Sequence, residues 1–157
     1  MTKPNLEVWQ PTGNDYRRSE VSAQIGSGQL FWERASTRVL EWGVKTASGF
    51  SVSSPAAVTP GDRIEVTAEL FGLRILEPVE VVAVVQEVDR VGFSYRTLPG
   101  HPVSGEEAFI VSRHGDAVHI TIRSLTRAAP QQPWRALYPL LLIVQQIVRR
   151  RYLRALR

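Results

Sequence analysis

Apolar and polar residues alternate with a period of two through most of the middle of the chain, and this alternation predicts a run of β-strands. The clearest case is Arg63 to Leu70, where Ile64, Val66, Ala68 and Leu70 alternate with Arg63, Glu65, Thr67 and Glu69. One face meets a core and the other meets water. Thr59-Pro60-Gly61-Asp62 launches that strand as a turn, since proline presets φ and glycine accepts the positive φ that follows. Upstream, Val21, Ala23 and Ile25 share one side of a looser strand pattern from Arg17 to Ile25, ended by Gly26-Ser27-Gly28. Residues 1–16 hold Pro4, Pro11, Gly13 and Asn14 without a sustained period and read as an irregular lead-in. After Gly28 the period becomes helical: Leu30, Phe31, Ala35, Val39 and Trp42 recur at three-to-four spacing, with Ser27 as cap and Gly43 ending or bending the helix. A Ser-, Gly- and Pro-rich passage from Lys45 to Val58 contains a short strand near Phe50 to Ser53. Past Gly72, Pro78 separates a short apolar segment, Leu73 to Leu76, from a long one, Val79 to Val88.

Two hairpins follow, and an assumed turn position fixes which residues share a face. With Asp89-Arg90 as the first turn, Val82, Val84, Gln86 and Val88 lie opposite Thr97, Tyr95, Phe93 and Val91 on the core face. With Gly115-Asp116 as the second, Phe109, Val111, Val118, Ile120 and Ile122 share the core face, and Glu106, Ser112, His119, Thr121 and Arg123 share the other. Glu107 then falls on the inner face with Ser124 across from it. Tyr95, Thr97, Glu107 and Ser124 are therefore expected to cluster at the end of the sheet closed by the Pro99–Gly105 loop. A carboxylate on an apolar face must be hydrogen-bonded, paired with a cation such as Arg127, protonated, or wetted by a cavity.

The last segment, residues 134–157, predicts an amphipathic helix with a basic end, entered in earnest at Pro139. Leu137, Leu141, Val144 and Val148 form its stripe, widened by Leu140, Ile143 and Ile147. The order of elements is strand, helix, a run of antiparallel strands, then one long helix. That order predicts an α+β fold in one domain, residues 1–157: a curved antiparallel sheet of about six or seven strands wrapped over the C-terminal helix. Such an architecture resembles the helix-grip, or START-like, fold (Bet v 1-like), whose members include plant pollen-allergen proteins and bacterial polyketide cyclases. The resemblance implies a cavity for an apolar ligand between sheet and helix.

A second resemblance lies in Gly92-Phe93-Ser94-Tyr95-Arg96-Thr97-Leu98-Pro99-Gly100-His101-Pro102, continued by Ser104-Gly105-Glu106-Glu107 and Phe109. With Ile25-Gly26-Ser27-Gly28, Trp42 and Ser124-Leu125-Thr126-Arg127, this stretch is similar to the hallmark of the DUF1990 (UPF0548) family. Arg96, Val103, Thr126 and Ala128 depart from that family's pattern.

Composition narrows the chemistry. The chain has no cysteine, which excludes disulfides, thiolate nucleophiles and cysteine-held metals and fits a cytoplasmic location. The net charge of +4 is unevenly divided: residues 1–107 hold 10 basic and 14 acidic side chains, residues 108–157 hold 9 and 1. Arg149, Arg150, Arg151 and Arg154 thus make an anion-attracting helix end suited to a peripheral contact with anionic membrane. The apolar part of the helix is too short to span a bilayer. Glu106 and Glu107, adjacent on a strand, face opposite ways and form no catalytic dyad. His101 stands at the pocket mouth with Pro99, Gly100, Pro102, Gly105 and Glu106, where it either contacts a ligand or simply bonds the loop backbone. His114 and His119 lie elsewhere, so no metal motif is spelled, and no cofactor-binding loop is present. Specific nucleic-acid recognition finds no interleaved aromatics in the basic tail apart from Tyr152.

The expectation that results is binding of a small apolar or amphipathic ligand or lipid, with Tyr95, Thr97, Glu107, Phe109 and Ser124 lining the site. The alternatives are a cyclase- or hydrolase-type enzyme using Glu107 as acid or base, with His101 or Tyr95 assisting, and a membrane-surface protein.

Overall fold

A computed structural model of the chain describes residues 1–10 and 13–157; Pro11 and Thr12, within the predicted lead-in, lie outside the described residues. Strands β1 (Arg17–Ser27), β2 (Ser51–Val52), β3 (Arg63–Leu70), β4 (Leu73–Gln86), β5 (Arg90–Thr97), β6 (Val103–His114) and β7 (Ala117–Ala128) form one antiparallel sheet in the order β1-β7-β6-β5-β4-β3-β2. Helices α1 (Gln29–Leu40) and α2 (Gly43–Thr46) follow β1, and α3 (Trp134–Tyr152) follows β7. The core lies on the inner face, where Phe93, Phe109, Val111, Ile120 and Ile122 are buried against Ala35, Val39 and Trp42.

The second hairpin has the predicted register, with Phe109 opposite Ile122, Val111 opposite Ile120 and Glu107 opposite Ser124. The first does not. Its turn centres on Val88-Asp89, closed by Glu87 N–H to Arg90 O at 2.8 Å, and a bulge between Val81 and Ala83 shifts the pairing again. Because side chains alternate, the bulge exchanges faces. Val79 and Val81 turn inward, and Glu77 with them, while Val82 leaves the core set. Pro78 does not divide the strand. Its carbonyl accepts from Leu98 N–H beyond the end of β5, and the Leu98 carbonyl, which an amide hydrogen at position 78 would face, accepts from His101 N–H instead, so the missing donor leaves no acceptor empty.

Three helix expectations change. The cap of α1 is Gly28, with no side-chain bond, rather than Ser27; in the first turn Trp32 faces the core with Phe31 packed against it, whereas Leu30 lies on the outward side, 82% exposed. Trp42, in the left-handed region at φ 61°, reverses the chain into α2, an element the sequence reading lacked. Pro139 lies inside α3 rather than at its entry, and the chain after Tyr152 leaves the helix so that Leu156 can bury. Of α3's own residues only Tyr152 is fully buried. The helix is tied to β7 by polar contacts, Tyr138 donating its hydroxyl to Thr126 O and Arg149 donating to Ser124 Oγ.

The lead-in crosses the outer face. Arg123 is 1% exposed there, donating to Glu20 at 2.6 Å and to the carbonyls of Thr2, Lys3 and Glu7, while Arg90 donates to those of Pro4 and Leu6.

Candidate functional site

Between the inner face and α3 lies a cavity of about 160 Å³. Its apolar wall is the α3 stripe Leu141, Val144 and Val148 together with Ala68, Leu70 and Ile75 of the β3–β4 hairpin. Its polar wall is made by β4 to β7 and by α2. Tyr95, Thr97, Glu107 and Ser124 come together on that wall, joined by Glu77 and by Lys45.

Lys45 is the centre of the polar wall. Held on α2 and 4% exposed, its ammonium lies 3.6 Å from Glu77 Oε2 and 3.8 Å from Glu107 Oε1. Three rings surround it, Phe50 at 4.5 Å, Tyr152 at 5.2 Å and Tyr95 at 5.6 Å. Rings and carboxylates both stabilise a desolvated cation. Tyr95 donates its hydroxyl to Glu107 Oε1 at 2.8 Å, and burial together with the Glu107 charge pushes its phenol well above the ordinary range, so it acts as a donor. Burial raises Tyr152 likewise.

His101 is buried at the loop end of the cavity. Its Nδ1 accepts from Val103 N–H at 3.1 Å, which places the proton of the neutral ring on Nε2, 3.9 Å from Glu77. Burial, aided by the Lys45 charge, lowers its pKa to about 3. The contact with Glu77 is therefore not an ion pair near neutral pH. Thr97 accepts from Gly105 N–H at 3.0 Å, and at Gly105 a Cβ would stand 1.7 Å from Leu125 O, so only glycine lets β6 approach β7 there. On α3, Arg149 donates to Ser124 Oγ at 2.8 Å, and Gln145, one turn earlier, leaves its side-chain carbonyl without a partner among the described residues.

Several expected residues lie elsewhere. Phe109 is fully buried beneath the cavity, edge-on to Phe93 and Tyr152, and is core rather than lining. Glu106 turns its carboxylate to the outer face, where it accepts from the backbone and hydroxyl of Thr2. Pro99 and Gly100 are exposed turn residues. Arg127 stacks over Tyr16 instead of pairing with Glu107. Arg149 and Arg151 line the cavity, whereas Arg150 and Arg154 face outward. Lys45 and Glu77 were missed. One signal was available, for the chain uses lysine only at positions 3 and 45 and arginine everywhere else.

Comparison with known proteins agrees with this architecture. The family model described as "Domain of unknown function (DUF1990)" matches residues 3–155. A UPF0548 protein of Deinococcus radiodurans is 35% identical over 129 residues, which cover 73% of this chain; the chain spans 65% of that relative's length. Among solved structures, hypothetical protein jhp0584 of Helicobacter pylori superposes with a TM-score of 0.62 at 14% identity, over 94% of this chain and 96% of that one. Ara h 8.0201 does so with a TM-score of 0.54 at 11% identity, over 87% and 94%. The chain thus belongs to the DUF1990 family, built on a helix-grip fold of the Bet v 1-like kind.

Proposed function

We propose that the protein binds one small amphipathic molecule in the space between the sheet and α3. The observation that carries this reading is the pairing of an apolar helical stripe with a buried group of charged and hydrogen-bonding side chains across a cavity of about 160 Å³. An apolar cavity of ~150 Å³ holds a benzene-sized molecule. The unpartnered Gln145 carbonyl supports the same reading, since a buried acceptor without a donor is destabilising until something bonds it. The test is native mass spectrometry of the full chain purified from a cell extract, then offered a mixture of short-chain amphiphiles. A bound mass lost in Tyr95→Phe or Val144→Trp supports the reading, and a clean unliganded mass with no uptake sinks it.

The second reading is acid–base catalysis on the bound molecule. It is favoured by the meeting of Glu107, Tyr95 and Lys45 within hydrogen-bonding or ion-pairing reach of a cavity. Glu107→Gln separates the two: turnover lost with binding retained supports catalysis, and unchanged consumption of a bound compound removes it. A third reading, contact with anionic membrane, rests on the exposed Leu140, Ile143 and Ile147 on the helix that carries Arg150 and is followed by Arg154. Flotation with anionic and neutral vesicles at two salt concentrations tests it, and equal recovery from both rejects it. No helix among the described residues is long and apolar enough to cross a membrane.

A further inference from the structure

The cations of the cavity are not equally engaged. Lys45 shares its charge between Glu77 and Glu107, and its ring cage leaves little room for an incoming group. Arg149 differs. Its guanidinium is half-buried against the cavity, its hydrogen-bond partner is the neutral Ser124 hydroxyl, and no carboxylate among the described residues is in ion-pair contact with it. A guanidinium carries five N–H donors, so most of those on Arg149 are uncommitted. Burial holds its pKa below the ordinary arginine value even though Glu107 acts the other way; an arriving anion would offset that burial.

The neighbourhood points the same way. Gln145 precedes Arg149 by four residues and shares its face of α3, and rotation of the unpartnered amide presents an NH2 toward the same spot. Leu141 and Val148 continue that face as apolar wall. Arg151 stands at the rim. Glu69 and Glu106, also at the cavity edge, belong to the outward-facing parity of β3 and β6. The charged side chains turned to the cavity are then Lys45, Arg149 and Arg151 against Glu77 and Glu107, an excess of one positive charge.

We propose that Arg149, assisted by Gln145, is an anion-binding site within the cavity, and that the ligand is a carboxylate-bearing amphiphile whose tail lies along Leu141, Val144 and Val148. The planar two-oxygen carboxylate matches the guanidinium fork, and its single charge matches the excess. This rests on the reading of the cavity as a binding site.

Octanoate, octanol and octylamine share a tail and differ at the head. Titrated calorimetrically into the full chain at neutral pH, octanoate is expected to bind about ten-fold more tightly than octanol, a preference that shrinks with salt, and octylamine more weakly than either. Arg149→Met should abolish the preference, bringing octanoate down to the level of octanol in the same variant; Arg149→Lys, which keeps the charge and loses the fork, should retain part of it. Equal affinity for octanoate and octanol, or a preference that survives Arg149→Met, overturns the assignment and leaves the binding cavity standing. Binding of octylamine in preference to octanoate overturns it too. No detectable binding of any of the three overturns the cavity reading, and this inference with it.

Discussion

Around the Lys45 ammonium, three aromatic rings and two carboxylates form a cage that a free alkylammonium ion would also fit. Lys45→Ala leaves the part-buried Glu77 and Glu107 without their cation, a change expected to destabilise the fold by about 2 kcal/mol in chemical denaturation. Ethylammonium should recover part of that loss in Lys45→Ala and none in Lys45→Met, whose side chain still fills the cage. Glu107→Gln, which leaves Lys45 paired with Glu77, should cost about 1 kcal/mol. His101 gives a pH dependence of definite sign. Its pKa falls from 6.5 in the unfolded chain to about 3 in the folded one, so between those values the unfolded state binds the extra proton. The contribution is complete above pH 6.5 and is lost as pH falls from there toward 3, amounting to about 2 kcal/mol at pH 5. Denaturation of wild type and His101→Gln at pH 7.5 and pH 5 checks this: the wild type should lose that much more than the variant on acidification.

At the scale of elements, what was legible depended on whether alternation ran unbroken. The β6–β7 pairing could be read because Gly115-Asp116 is a strong turn and Phe109, Val111, Ile120 and Ile122 leave one register that buries them all. That pairing brought Glu107 and Ser124 together from sequence alone. The β4–β5 pairing resisted because a bulge has no compositional mark in a run such as Val81-Val82-Ala83-Val84-Val85, where either parity buries valine. Glu77 was lost with it, although Ile75, Glu77, Val79 and Val81 alternate cleanly once Pro78 is allowed inside the strand. Lys45 was marked by its rarity but could not be placed, since α2 is four residues long and carries no period to say which way a side chain faces. In α3 the pattern was clear but too generous: Leu141, Val144 and Val148 face inward, while Leu140, Ile143 and Ile147 remain exposed. With one residue fully buried, α3 should be the least protected long element. Amide exchange through Tyr138–Val148 should run at least ten-fold faster than in β6 and β7, and a bound ligand should slow it.

For the whole molecule, the sheet is a single layer with different business on its two faces. The inner face carries the aromatic core and the cavity; the outer face is covered in part by the N-terminal segment, which Arg123 and Arg90 hold by its carbonyls. Arg123→Met keeps the length of the side chain and removes its donors, leaving Glu20 and three carbonyls unanswered. The expected result is a loss of about 3 kcal/mol and rapid amide exchange confined to residues 1–10 at first, with the inner face intact. Tyr95–Glu107 geometry should persist in that variant, because β6 is paired on both sides independently of the segment.

A vessel with one stiff wall and one compliant wall has no fixed capacity. The hydrogen-bonded seven-stranded sheet makes its side of the cavity unyielding, whereas the opposite side is a helix whose one fully buried residue, Tyr152, lies at its far end. The 160 Å³ is then the resting value of a quantity that the occupant sets. In a homologous series of straight-chain acids, a rigid cavity would show affinity rising to one length and collapsing at the next. Here each added methylene should go on contributing a diminishing share of its usual ~0.8 kcal/mol, the shortfall measuring the work of lifting α3.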